Sequence, residues 1–168
     1  MIRPRNLAIV ATGVLLAATA IGLSAATAHE PRAHPQKIWV GSGGLYVRAS
    51  LGSYCWSRRE EGTGFWNGFC ADAAYPIDVR GRLPVQPRDR VTLHVPDHAR
   101  RVNVSLLRVE GSAINHGDWR ARARRVGDGP HRWRFRLPAD LQNANRLDVF
   151  VRYERGDADF WAGIDPTG

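Results

Sequence analysis

Methionine occurs once in the 168 residues, at Met1, lysine once, at Lys37, and cysteine twice, at Cys55 and Cys70. Each scarcity excludes something. Beyond Met1 there is no thioether, which removes copper sites built on soft methionine ligands. Two cysteines fifteen residues apart, with no C-x-x-C pair, do not make a thiolate zinc centre. The chain also lacks a G-x-S-x-G elbow, an H-E-x-x-H pair and a Gly-rich loop ending in Gly-Lys-Ser/Thr. Those gaps take away the common signatures of hydrolases, zinc proteases and nucleotide-binding loops. No internal repeat or low-complexity tract is visible, and no long segment carries a convincing 3.6-residue apolar period.

What is present begins with the N-terminus. Arg3 and Arg5 precede a charge-free run from Leu7 to Leu23, and Ala26-Thr27-Ala28 supplies a small-x-small cleavage site. Residues 1–28 therefore read as a signal peptide, either cleaved after Ala28 or retained as an anchor. The apolar run is slightly short for a spanning helix, which needs roughly 20 residues. No cysteine follows it to carry a lipid, and Arg-Pro-Arg is not a twin-arginine doublet. The expected location is extracytoplasmic: secreted, periplasmic or at the cell surface. There, Cys55 and Cys70 are expected to form a disulfide, a local staple rather than a bridge between distant strands.

Cleavage after Ala28 leaves 22 basic residues against 16 acidic ones, a net charge of +6. That balance suits anionic partners such as teichoic or nucleic acids, acidic lipids or polysaccharides. It also suits a merely soluble charged surface. No specific nucleic-acid motif is present, and membrane contact is expected only through an uncleaved N-terminus.

Residues 29–37, Pro-rich and polar, are expected to form a flexible lead-in, and residues 38–165 a single domain. From Ile38 onward, short alternating runs are punctuated by Gly, Pro and Asp. "LYVRASL" and "SYCWS" read as strands, and Tyr75 to Pro87 as irregular or edge structure. "RVTLHV" (90–95) and "RVNVSLL" (101–107) flank "PDHAR" as a hairpin candidate. "WRARARRV", "HRWRFRL", "RLDVFVRYE" and "ADFWAGI" complete the set, joined by turns such as "GDG" and "RGD". The "RGD" at 155–157 is accounted for by turn chemistry, not adhesion. About seven or eight short strands at this spacing predict an all-β, immunoglobulin-like antiparallel sandwich.

"LGSYCWS", a following "CAD", "RVTLHVP", "RVNVSLL" and a closing "LDVFVRYERGDADFWAGI" resemble a group of small extracytoplasmic bacterial proteins. These share a Gly-Ser-Tyr-Cys-Trp element, a second Cys-x-Asp and a β-rich remainder. The resemblance spans most of residues 45–164. It implies the sandwich and brings no catalytic residues with it.

Three candidate sites follow. Seven of the fifteen aromatics lie between Tyr46 and Tyr75. They form either a small core over the disulfide or a loop tip that exposes Phe65 and Trp66 to a sugar or a protein. Second, Arg120, Arg122 and Arg124 alternate along one run and Arg132, Arg134 and Arg136 along the next. Paired as a hairpin with Arg124 opposite Arg132, they would gather six guanidinium groups on one face, with Trp119, Trp133 and Phe135 behind. The rival is a short helix capped by Asp118 and ended by Gly127, which would scatter them. Third, a cut after Ala28 would make His29 the N-terminus. Its amine and imidazole would then resemble the histidine brace of copper monooxygenases and periplasmic copper-binding proteins. His34, His94, His98, His116 and His131 are candidates for the second ligand. The leading expectation is a non-catalytic envelope or binding domain without a cofactor, meeting an anionic polymer or protein through arginines. The alternative is a copper protein built on His29.

Overall fold

Alternation decides the secondary structure. The computed structural model describes residues 34–167 apart from 60, 61, 65, 97, 128–130 and 142, and apart from the Arg59 side chain. The expected signal peptide, His29 and Phe65 lie outside the described residues. Within them the chain forms no helix. Twelve strands follow in chain order: β1 (Trp39–Ser42), β2 (Leu45–Arg48), β3 (Ser50–Arg59), β4 (Trp66–Ala71), β5 (Arg82–Val85) and β6 (Arg90–His94). Then come β7 (Ala99–Glu110), β8 (Ala113–Arg122), β9 (Arg124–Arg125), β10 (Arg132–Arg136), β11 (Arg146–Tyr153) and β12 (Gly156–Pro166).

They make an all-β sandwich. One sheet has five strands in the order β2-β1-β6-β10-β9, and the other has the order β4-β3-β12-β11-β7-β8. Both are antiparallel, except that β5 adds to the second sheet in parallel with the end of β12. Between the sheets lies one core. Val91, Leu93, Trp133 and Phe135 meet Val102, Val104, Leu147, Val149 and Phe160, all 5% exposed or less. Alternate residues of β6, β7, β10 and β11 point there, as period-two patterning requires. A smaller cluster of Ile77, Leu107 and Trp161 sits apart from it. Ile77 brings the connection between β4 and β5 over the seven-stranded sheet, since a Cβ added to Gly52 of β3 would lie 2.6 Å from its side chain.

The disulfide is as expected. Cys55 and Cys70 face each other directly across the β3–β4 pair, and both are exposed. Among the described residues the small aromatic core over it is reduced to Tyr54 edge-on to Phe69, ring centres 5.8 Å apart. Alternation turns Trp56 the other way, into the main core, edge-on to Tyr153 with ring centres 5.2 Å apart. Trp66 and Phe69 stay 59% and 43% exposed. The expected β11–β12 hairpin forms, with Arg152 opposite Asp157. Gly156 of the "RGD" is required there: its φ is 149°, and a Cβ would lie 2.0 Å from the Cys55 carbonyl oxygen.

Three expectations about pairing are overturned. "LYVRASL" is not one strand but two in different sheets, with the change at Ala49. β6 and β7 do not form a hairpin; β6 pairs with β1 and β10, and β7 with β11 and β8. Both bury alternate valines and leucines in the same core from opposite sides, so they must face each other rather than lie side by side. The arginine hairpin is also revised. Residues 119–125 are extended, not helical, but β8 belongs to the seven-stranded sheet, where Arg120 and Arg122 stand opposite Ser105 and Asn103. After Ala123, whose amide donates to the Val102 carbonyl at 2.9 Å, the chain passes to the other sheet. There Arg124 faces Arg134, not Arg132. The local cause is the tight turn at Gly111-Ser112 (Gly111 φ 57°), which delivers β8 to β7 before β10 is reached.

Candidate functional site

The sheet switch removes two arginines from the expected ladder, and the pairing of β2, β1 and β6 beside β10 supplies two others. On the five-stranded sheet, the residues that do not enter the core form rows across the strands. Arg48, Trp39, His94 and Arg132 make one row, on β2, β1, β6 and β10. Tyr46, Gly41, Thr92, Arg134 and Arg124 make the next, reaching β9. Arg90 and Arg136 make a third. Six arginines therefore share this outer face: four of the expected six, plus Arg48 and Arg90. None of these eleven positions is acidic.

Strand spacing of about 4.8 Å and a two-residue repeat of about 6.8 Å put the six cations within a patch narrower than a small domain. Two like charges about 7 Å apart in water repel by roughly 0.6 kcal/mol before salt screening. Ion pairs do not relieve this. Among the described residues the salt bridges are Arg100–Glu154 and Arg108–Glu110, neither of which involves a member of the face. The carboxylate next in sequence, Asp89, accepts hydrogen bonds from the Ser42 hydroxyl (3.3 Å) and the Gln86 amide (2.9 Å). At the centre, Arg134 is half-buried between its neighbours, and its Nε is buried without a hydrogen-bond partner. A buried cationic donor of that kind gains from an anionic acceptor.

Two exposed rings join the arginines. Trp39 is 46% and Tyr46 47% exposed. Tyr46 lies down over β1 because Gly41 has no side chain; an added Cβ would sit 2.3 Å from its ring. Its edge meets His94, with ring centres 5.4 Å apart. Arg125, one residue beyond Arg124, is exposed but folds back over the edge of the sandwich. Its guanidinium lies 5.2 Å from the Trp133 ring centre and donates to the Ala99 carbonyl at 3.0 Å, closing the open edge of the sandwich.

The remaining candidates are dispersed. Trp66 is exposed at the start of β4, on the far edge of the other sheet. Among the described residues no three His, Cys, Asp or Glu side chains converge as a metal site would require; His98 and His131 stand 6.5 Å apart, ring centre to ring centre. Two groups that the sequence reading passed over have displaced acidities. Burial raises Asp148 and Asp159, the latter to about 6, with Asp148 and Asp157 as further causes for Asp159. Both belong to the seven-stranded sheet. Their signal was available only as interruptions, "LDVFV" and "ADFWA", in otherwise apolar runs. Searches against family models, curated proteins and solved structures give no match.

Proposed function

We propose that this chain is a non-catalytic, extracytoplasmic, immunoglobulin-like domain that binds an anionic polymer on the outer face of its five-stranded sheet. One observation carries the reading: strand register gathers six arginines on one face with no acidic residue among them. The partnerless Nε of Arg134 gives the polymer a central anchor, and Trp39 and Tyr46 give its apolar parts a surface to lie on. A sheet face suits an extended chain, since its cations repeat in rows rather than converging on a pocket.

The test is titration of fluorescein-labelled polyphosphate by anisotropy across a salt series. Six contacts predict that log K falls against log salt with a slope of about −4, taking roughly 0.7 released ions per contact. Replacing Arg90, Arg132, Arg134 and Arg136 with serine should weaken binding at low salt at least about tenfold and flatten that slope. Replacing Arg120 and Arg122 with serine should change it less than about twofold, because they lie on the other sheet. Equal losses from both sets would reduce the reading to net charge alone.

A further inference from the structure

The outer face of the seven-stranded sheet is built on the same grid but with both signs of charge. Asp159, Phe150, Asn103 and Arg122 form one row across β12, β11, β7 and β8. Trp161, Asp148, Ser105 and Arg120 form the next. Apart from Trp161, which is buried against Ile77, these residues line a groove of about 520 Å³, and His116 lines it too. The carboxylates occupy the β12–β11 end and the guanidinium groups the β8 end, with Phe150, Asn103 and Ser105 between.

The two ends do not neutralise each other. Among the described residues no ion pair joins Asp148 or Asp159 to Arg120 or Arg122. Asp148 accepts one hydrogen bond, from the Ser105 hydroxyl at 3.0 Å, while its Oδ1 is buried without a partner. Arg120 and His116 are near enough to favour the Asp148 carboxylate, but the charges acting on Asp159 are those of Asp148 and Asp157, both adverse. The groove thus holds anions that need a cation at one end and cations that need an anion at the other, separated by a neutral floor.

We propose that this groove binds a small zwitterion, with an ammonium group at Asp159 and Asp148 and an acid group at Arg122 and Arg120. Three strand spacings separate the backbones of β12 and β8, about 14 Å. The side chains lean in from both ends, so the ligand's charges should stand on the order of 6–9 Å apart. A linear amino acid or short peptide has that reach, and its connecting chain would lie over Phe150. The site is independent of the polyanion face and shares no residue with it.

Isothermal titration of the purified chain with 6-aminohexanoate, hexylamine and hexanoate at low salt and pH 7.5 tests this. The zwitterion should bind at least about tenfold more tightly than either singly charged analogue, because only it satisfies both ends. Asp159→Asn and Arg122→Ser should each abolish that advantage, and Arg134→Ser on the other sheet should leave it unchanged. Arg122 is exposed, so its variant keeps the test valid should Asp159→Asn fail to fold. Equal binding of hexanoate would make the groove a plain anion site, and equal binding of hexylamine a plain cation site. No heat from any of the three at 10 mM would mean no site at all. Each of these outcomes overturns the proposal.

Discussion

The two outer faces of the sandwich share one construction and differ in electrostatics. Each is the solvent side of strands whose other side fills the common core, so each is laid out in rows set by register. On the five-stranded sheet the rows are arginine, aromatic and small residues, with no acid. On the seven-stranded sheet Asp148, Asp157 and Asp159 are interleaved with Arg101, Arg120, Arg122 and Arg152. The core demands apolar side chains of fitting volume and is indifferent to what lies outside. Stability and recognition can therefore be varied separately, strand by strand. The change of sheet at Ala123 matters because it assigns one continuous arginine run to both faces.

If that separation holds, the largest effects come from the shared interior. Leu93→Ala on β6 and Leu147→Ala on β11, both at fully buried positions, should each cost about 2–5 kcal/mol in urea denaturation. Neither should change polyphosphate affinity while the protein remains folded. An affinity loss matching the stability loss would join core and face, and the comparison would break. Next in size is the staple. Cys55→Ser with Cys70→Ser should cost on the order of 3 kcal/mol for a loop of fifteen residues. It should leave the five-stranded face intact, since β3 and β4 belong to the other sheet.

Much of this was legible locally and little of it at long range. Alternation correctly told inside from outside at Trp133, Phe135, Ala123 and their arginine neighbours, because it reflects a property of each strand alone. The pairing of Cys55 with Cys70 was legible because the chain holds no other cysteine. Strand adjacency was not. Alternation runs unbroken through Ala49 and Ala123, so nothing in composition marks a change of sheet. Arg48 and Arg90 sit at outward positions in "LYVR" and "RVTLHV", a readable signal. Arg48 joins the row of Arg132 only because β1 and β6 lie between, and Arg90 faces Arg136 only because β6 pairs with β10, neither of which a local pattern shows.

The smallest expected effect is the one that best separates the two faces, because it reads charge alone. Asp159 is half-buried on β12 opposite Phe150 of β11, with Asp148 and Arg152 on the diagonals and Asp157 two residues away on its own strand. Its folded-state pKa is raised to about 6 by burial first and by Asp148 and Asp157 next. An unfolded aspartate titrates near 3.9. Between those values the folded protein holds a proton that the unfolded chain has released, so stability must fall as pH rises through the window. The penalty is complete above about pH 6 and relieved below about pH 4, the reverse of a salt-bridged carboxylate. Solvent on its open side screens much of the cost, leaving a contribution on the order of 1 kcal/mol. Asp159→Asn should accordingly be more stable than the parent at pH 7.5, by about that amount, and equal to it near pH 4. Urea midpoints at both pH values provide the measurement. A matched Arg134→Ser variant, altered where no carboxylate shares the face, should show no such dependence between pH 4 and 7. Parallel stability curves for parent and Asp159→Asn would mean that the carboxylate is already compensated, and the contrast between the faces would shrink to one of shape.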